Sequence, residues 1–167
     1  MGFEVWGWVR FARHEWCLGV NPEFGVNVVI ASWLNGTLGK GMVHKCPTVM
    51  IAEPGSNLVA ALYPWLADEG YEVKVVGNIK DALMTLQSEK IHVLVMDVCM
   101  AQAMGYEAIP IIKGLCRHLP IIITTEENNP EQEGTIRQKG IFYYHVTSFG
   151  MEELMLAISN AMARSMA

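Results

Sequence analysis

The sequence predicts an α/β domain in which helices cover both faces of a parallel β-sheet. Hydrophobic residues make up 51% of the 167 positions, which is enough to bury a sizeable core. From Thr48 onward, short apolar runs alternate with stretches of helical spacing. A mainly apolar run, residues 91–96, leads directly to Asp97. Because α/β sheets bind ligands at the carboxyl ends of their strands, Asp97 is the first candidate for a functional residue.

The first strand and helix are predicted between Thr48 and Gly70. Thr48–Ala52 is a short apolar run, followed by a turn at Pro54 and Gly55. Ser56 is placed to cap a helix that Gly70 ends. The apolar residues of this helix recur at helical spacing and are Leu58, Leu62, Trp65 and Leu66.

The next elements lead to Asp97 and beyond it. Residues 71–76 alternate apolar and polar side chains, as a half-buried strand does. Asn78 and Asp81 resemble a capping box, which predicts a second helix. A third strand ends at Asp97, an irregular stretch reaches Gly105, and a third helix is expected from about Tyr106.

The last two units complete the pattern. Residues 120–124 form the fourth predicted strand, and Asn129 with Pro130 opens a polar helix, since Pro tolerates the first helical position. Residues 141–146 form the fifth strand. Two glutamates favour the first turn of a last helix. The inward positions of that helix are Leu154, Ala157, Ile158, Ala161 and Met162.

Five strand–helix units with short connections imply a doubly wound parallel sheet, and right-handed crossovers favour the flavodoxin-like strand order 2-1-3-4-5. Pro64 and Pro110 are predicted to lie inside the first and third helices. A proline in a helix interior typically costs about 3 kcal/mol, so both positions are unusual.

Residues 1–46 differ in character from the α/β region, which we assign to residues 47–167. They hold four of the five tryptophans and show little helical periodicity. Residues 3–9 and 26–34 are candidate strands. Two interpretations stay open: a small β-rich extension, or non-native upstream sequence ahead of an initiator at Met42.

Charge and cysteine spacing exclude several classes of protein. The net charge is −5, with +1 on residues 1–46 (four Lys/Arg, three Asp/Glu) and −6 on residues 47–167 (eight and fourteen). This acidic balance argues against nucleic-acid binding, which needs a basic face. The four cysteines form no zinc-binding pattern. No apolar run approaches the roughly 20 residues of a membrane helix and no signal peptide is evident, so we expect a reduced, cytoplasmic protein.

The α/β region resembles the receiver domains of two-component response regulators. Six segments carry the resemblance, in order and at compatible spacing. They are MIAEPGSNLV (50–59), DEGYEV (68–73), VMDVCM (95–100, with Gly105 eight residues after Asp97), PIIITT (120–125), GIFYY (140–144) and FGMEEL (149–154).

The resemblance assigns roles to single positions. Asp97 falls on the phosphoacceptor, Thr125 on the hydroxyl residue that follows the phosphoryl group, and Tyr144 on the aromatic switch position. Glu53 falls on the first member of the acidic pair that holds magnesium. The departures from the family pattern are Pro54 at the second acid, Thr147 at the lysine, Ser148 at the following proline and Ala101 at the usual proline of the loop after the acceptor.

These departures weaken the chemistry that the resemblance implies. Mg²⁺ requires octahedral oxygen ligands, and only Glu53, Asp97 and the backbone carbonyl of Cys99 would supply them, so any binding is expected to be weak. Thr147 offers a neutral hydroxyl where the family has a cation, and a charge-assisted hydrogen bond is worth about 1.5–3 kcal/mol.

We therefore expect a single-domain, non-enzymatic signalling protein with a degenerate phosphorylation pocket. A histidine kinase or phosphotransfer protein would be its donor. The surface formed by about residues 130–164 would bind a downstream protein or a second copy of the chain in a homodimer. The alternative is a pseudo-receiver adaptor that acts without phosphorylation. A flavodoxin-like enzyme or cofactor carrier is disfavoured, because the chain lacks a glycine-rich phosphate loop and a nucleophile elbow.

Overall fold

The computed structural model describes residues 6–11, 14–21, 25–29, 46–102, 104 and 106–167. The chain divides into two compact units, Met1–Val43 and His44–Ala167. Gly105, Met42, residues 3–5 and residues 30–34, which the sequence analysis singled out, lie outside the described residues.

The first unit contains a three-stranded antiparallel sheet in the order β1-β2-β3. Its strands are β1 (Trp6–Phe11), β2 (His14–Asn21) and β3 (Gly25–Val29). The two candidate strands of the sequence analysis overlap β1 and β3, whereas β2 was not predicted. The two interpretations of residues 1–46, a β-rich extension and non-native upstream sequence, stay predictions.

The second unit contains five strands and six α-helices in the described part of the chain. The strands are β4 (Thr48–Ala52), β5 (Glu72–Val76), β6 (Val93–Asp97), β7 (Ile121–Thr125) and β8 (Tyr143–Val146). The helices are α1 (Asn57–Asp68), α2 (Ile79–Ser88), α3 (Val98–Gln102), α4 (Ala108–Leu115), α5 (Pro130–Arg137) and α6 (Glu152–Met166). A 3-10 helix, Thr147–Phe149, follows β8.

All five strands of this unit run parallel, in the order β5-β4-β6-β7-β8. This is the order 2-1-3-4-5 within the unit and confirms the flavodoxin-like arrangement predicted from sequence. Strand β6 is central, and its last residue, Asp97, pairs in register with Thr124 of β7. The carboxyl ends of the strands therefore meet at one edge of the sheet, as expected for a site of this fold.

Two apolar layers enclose the sheet. One lies between the sheet and helices α1 and α6, and the other between the sheet and helices α2, α4 and α5. The residues of β4 and β6 up to Met96 are almost completely buried, since strands covered on both faces have no solvent side. Each fully buried Val, Leu, Ile or Met contributes about 1.5–3 kcal/mol to folding.

The capping residues predicted from the sequence form their hydrogen bonds at two helix starts and not at a third. Asn78 and Asn129 accept hydrogen bonds from the backbone N–H of Asp81 (2.9 Å) and Gln132 (3.0 Å), as the capping patterns predict. Ser56 occupies the N-cap of α1 but makes no capping hydrogen bond through its side chain.

The segment after Asp97 differs from the prediction. Val98–Gln102 forms the short helix α3, where an irregular stretch was expected, and its Ala101 is completely buried. Helix α4 begins at Ala108, two residues later than predicted, because Tyr106 has a left-handed backbone (φ 65°) that no α-helix accepts. In the described part of the chain, no helix is long and apolar enough to cross a membrane.

Candidate functional site

Asp97 is half-buried at the carboxyl end of the central strand. Its Oδ1 accepts a hydrogen bond of 2.8 Å from the backbone N–H of Cys99, which fixes the carboxylate at the start of α3. A hydrogen bond to Asp97, together with the negative charge of this carboxylate, raises the pKa of the exposed Cys99 thiol. The thiol therefore stays protonated and is a poor nucleophile at neutral pH.

Glu53 lies just after β4 and is buried, with 9% of its surface exposed. Its carboxylate accepts hydrogen bonds from the backbone N–H groups of Leu58 (3.0 Å) and Val59 (3.3 Å). These are two of the N–H groups at the start of α1 that have no partner within the helix. Glu53 thus supplies the capping interaction that the Ser56 side chain does not make.

Thr125 and Thr147 are joined at the ends of the last two strands. The buried Thr125 hydroxyl donates to the carbonyl oxygen of Glu127 (3.2 Å). The hydroxyl of Thr147 donates to the carbonyl oxygen of Thr125 (3.1 Å). Thr147, at the position that the family resemblance gives to a lysine, therefore binds backbone and does not line the cavity that contains Asp97.

Tyr144 is buried, with 4% of its surface exposed, and points into the layer below α5. Its hydroxyl donates to Oε1 of Gln132 (3.0 Å), and Nε2 of Gln132 donates to the hydroxyl of Tyr106 (3.0 Å). Burial is the main cause that raises the pKa of Tyr144. The side chain is a neutral hydrogen-bonding group at physiological pH.

A cavity of about 450 Å³ opens at this edge of the sheet. Its lining includes Glu53, Asp97, Cys99 and Thr125 of the candidate residues, together with Pro54, whereas Thr147 and Tyr144 are not part of the lining. Four carboxylates line the cavity, from Glu53, Asp97, Glu126 and Glu127, and no lysine or arginine is among the described lining residues.

The donor set of this cavity fits a divalent cation poorly. Glu53 already accepts two backbone hydrogen bonds, Pro54 has no carboxylate, and one oxygen of Asp97 accepts the Cys99 N–H. Within the described residues, no three Asp, Glu, His or Cys side chains lie close enough to hold a metal ion. A magnesium ion here would keep most of its water ligands.

Several residues that line the cavity were not identified from the sequence. Glu126 and Glu127, to which the sequence analysis assigned no role, are exposed and line the cavity. Asn129 and Gln132 also line the cavity, as do Asn57 and Gln102. The available signal was position, because residues that directly follow a parallel strand share the edge where Asp97 lies.

The family comparison agrees with this fold and this edge of the sheet. The model of the response regulator receiver domain matches residues 49–159. The chain therefore belongs to the receiver domain family of two-component response regulators, as the resemblance predicted.

Individual relatives are distant in sequence. The chain is similar to the DNA-binding transcriptional regulator NtrC of Bradyrhizobium sp. (strain RP501 Parasponia), with 22% identity over 70% of this chain and 24% of that protein. It is also similar to the transcriptional regulatory protein GlrR of Escherichia coli (strain K12), with 24% identity over 74% of this chain and 28% of that protein. The chain thus spans about a quarter of the length of these curated relatives.

Solved structures show the same fold. A CheY-like response regulator receiver domain protein from Methanospirillum hungatei JF-1 superposes with a TM-score of 0.65. The match has 16% identity and covers 72% of this chain and 97% of that one. At this identity the likeness shows the fold alone.

Proposed function

We propose that the chain is a receiver module in two-component phosphorelay signalling and that Asp97 is its phosphoacceptor. The observation that carries this proposal is the place of Asp97. Its carboxylate lies at the end of the central strand and lines an open cavity that Glu53 and Thr125 also line. A phosphoryl donor can reach it from solvent.

The proposed reaction is transfer of a phosphoryl group from a phosphohistidine of a kinase or phosphotransfer protein. A carboxylate oxygen of Asp97 bonds to phosphorus, the P–N bond breaks, and the imidazole nitrogen of the donor keeps the electron pair. Thr125 provides a hydroxyl beside the acceptor. Receiver domains generally bind Mg²⁺ at this site. Here Glu53, Asp97 and the backbone carbonyl of Cys99 would hold the ion, and only weakly. When bound, the ion would neutralise part of the phosphate charge.

The proposed reaction is slow, because the pocket is degenerate. Besides the acceptor Asp97, three carboxylates line the cavity, and no described lysine or arginine does. Thr147 is occupied with the carbonyl of Thr125 and offers no charge. Loss of one charge-assisted hydrogen bond alone weakens phosphoryl binding by about 1.5–3 kcal/mol.

The output of the module would be a contact with another protein, and we assign it no catalytic activity of its own. Residues 130–164 are the proposed surface, for a downstream protein in the cytoplasm or for a second copy of the chain. Two large apolar side chains on it are exposed to solvent, Phe149 by 66% and Leu156 by 62%. Exposed apolar groups of this size suit a protein interface.

The first test is direct phosphorylation by a small donor. Acetyl phosphate with MgCl₂ should add one phosphoryl group to the intact protein, slowly, as measured by mass spectrometry. Asp97→Ala should abolish the gain. Asp68→Ala is the matched control, because Asp68 is exposed at the far end of α1, and this variant should gain mass as the wild type does.

A second candidate function is a pseudo-receiver adaptor that works without phosphorylation. The specific observation in its favour is that both oxygens of Glu53 accept backbone hydrogen bonds from α1. No mass gain with acetyl phosphate or with a phosphorylated histidine kinase would reject the first candidate and leave the adaptor.

A further inference from the structure

Three polar side chains form a hydrogen-bonded chain beneath the candidate output surface. The amide of Gln132 lies between two phenols. It accepts a hydrogen bond of 3.0 Å from the hydroxyl of Tyr144 and donates one of 3.0 Å to the hydroxyl of Tyr106. We call Tyr106, Gln132 and Tyr144 the tyrosine clasp. Because Gln132 uses both ends of its amide, one side chain fixes two aromatic rings.

The clasp joins three separate parts of the domain. Tyr106 precedes α4, Gln132 lies in the first turn of α5, and Tyr144 is in the edge strand β8. Gln132 is itself positioned by its backbone N–H, which donates to the capping side chain of Asn129. The start of α5 is thus fixed from both the backbone and the side chain.

Tyr106 adds a second, independent observation. It is the one described residue other than glycine with a positive φ, at 65°. A left-handed conformation is costly for a residue with a Cβ and persists only where surrounding contacts hold it. The hydrogen bond from Gln132 is such a contact, and strain of this kind is typical of positions with a conformational role.

Gln132 also lies at the cavity that contains Asp97. The same residue therefore contacts the candidate phosphorylation pocket on one side and the buried ring of Tyr144 on the other. The side chain of Thr125, which also lines the cavity, interacts with Tyr144 as well, so the Tyr144 ring is linked to this cavity through two residues.

We propose that Gln132 is a positioning residue that holds Tyr144 inward and fixes α5 against β8 in the unphosphorylated protein. The output surface is then set in one conformation before any phosphoryl transfer. This inference rests on the proposed function only in assigning output to residues 130–164; the clasp itself requires no reaction at Asp97.

The test is the conformation of the Tyr144 ring in Gln132→Met, a variant of similar size that removes both hydrogen bonds. In protein labelled with ¹³C in its tyrosine rings, the wild type should show one set of Tyr144 signals. Each neutral hydrogen bond favours the closed state about fivefold. We therefore expect the population of a second, solvent-exposed Tyr144 ring to rise at least fivefold in Gln132→Met, and to rise less in Tyr106→Phe, which removes only the outer bond.

Gln138→Met is the matched control, because Gln138 is the exposed C-cap of the same helix. Its Tyr144 spectrum should equal that of the wild type. The Tyr71 ring, in the opposite apolar layer, should stay unchanged in every variant, which separates a local opening from general destabilisation. If Tyr144 is the same in Gln132→Met and Gln138→Met, the inference is wrong. No phosphodonor is present, so failure of the phosphorylation proposal would leave this result unaffected, and the reverse also holds.

Discussion

Glu53 illustrates how one carboxylate can stabilise a helix from outside it. The residue lies three positions before the N-cap Ser56, yet its carboxylate accepts hydrogen bonds from the N–H groups of Leu58 and Val59. A negative charge at a helix N-terminus also interacts favourably with the helix dipole. The sequence suggested Ser56 for this role, because a local pattern cannot show that a turn folds an earlier side chain back over the helix end.

We predict that Glu53→Ala lowers the free energy of unfolding by about 1–2 kcal/mol, the usual cost of losing an N-cap. The measurement is urea denaturation of the unphosphorylated protein. Glu126→Ala is the control: it removes another cavity carboxylate, and one that makes no hydrogen bond to α1 in the described structure. It should change stability by less than about 0.5 kcal/mol. Equal effects of the two substitutions would contradict the capping role of Glu53.

His145 is a buried imidazole in β8, with 1% of its surface exposed. Among the described residues, the ring nitrogens make no well-formed hydrogen bond and interact only with the backbone of Gly150. The hydroxyl of Thr124, the neighbour of His145 in register, has no hydrogen-bond partner among these residues. Burial lowers the pKa of His145, and the Glu153 charge and the Gly150 backbone offset this only in part. The stacked ring of Tyr143 completes its surroundings.

The lowered pKa makes folding pH-dependent. As the pH falls below 6.5, His145 is protonated in the unfolded chain before it is protonated in the folded protein. The free energy of unfolding is therefore unaffected by this group above that pH and decreases below it. The slope is at most about 1.4 kcal/mol per pH unit for this one proton. We predict that His145→Leu removes this part of the decline in urea titrations between pH 5 and about 7. His118→Leu, at an exposed histidine, should retain it; an unchanged slope in His145→Leu would refute the assignment.

At the scale of elements, the two helical prolines have unequal positions. Pro64 lies inside α1, where it cannot donate to the carbonyl of Ala60. Pro110 is the third residue of α4 and lies in its first turn. Backbone N–H groups in the first turn have no partner within the helix, so the missing N–H of Pro110 costs no hydrogen bond. The sequence analysis placed both in helix interiors, and for Pro110 this was wrong because α4 begins later than expected.

The two positions predict opposite results for the same substitution. Pro64→Ala should raise the free energy of unfolding by about 1–2 kcal/mol. Removing the proline relieves a helix cost of about 3 kcal/mol, but alanine also makes the unfolded chain more flexible, which offsets part of that gain. Pro110→Ala should change it by less than about 0.5 kcal/mol. Thermal and urea unfolding measure both. A Pro110→Ala effect as large as that of Pro64→Ala would show that the first turn of α4 is not as described.

Long elements were predictable from the sequence, and the short ones next to the site were not. Strands β4 and β6 are apolar on both faces, and α6 repeats its inward residues at helical spacing, so periodicity was sufficient. Helix α3 has only five residues, too few for a period to appear. The left-handed Tyr106 gave no signal either, since a tyrosine rarely adopts that conformation.

At the scale of the whole molecule, the sheet order could be predicted because right-handed crossovers leave few arrangements. The place of Asp97 followed from that order and from its position after a buried run. The clasp could not be predicted, since its two hydrogen bonds join residues 26 and 12 positions apart that only the packed structure brings together.

The carboxylates around the cavity have a consequence for the kinetics of any encounter there. An anionic donor approaches a mouth of like charge, and the Debye length of about 8 Å at physiological ionic strength screens the repulsion only in part. Diffusing small anions are therefore slowed on arrival. A protein donor could offset the repulsion with basic residues of its own around the transferred group, so the acidity of this cavity selects for partners that bring their own counter-charge.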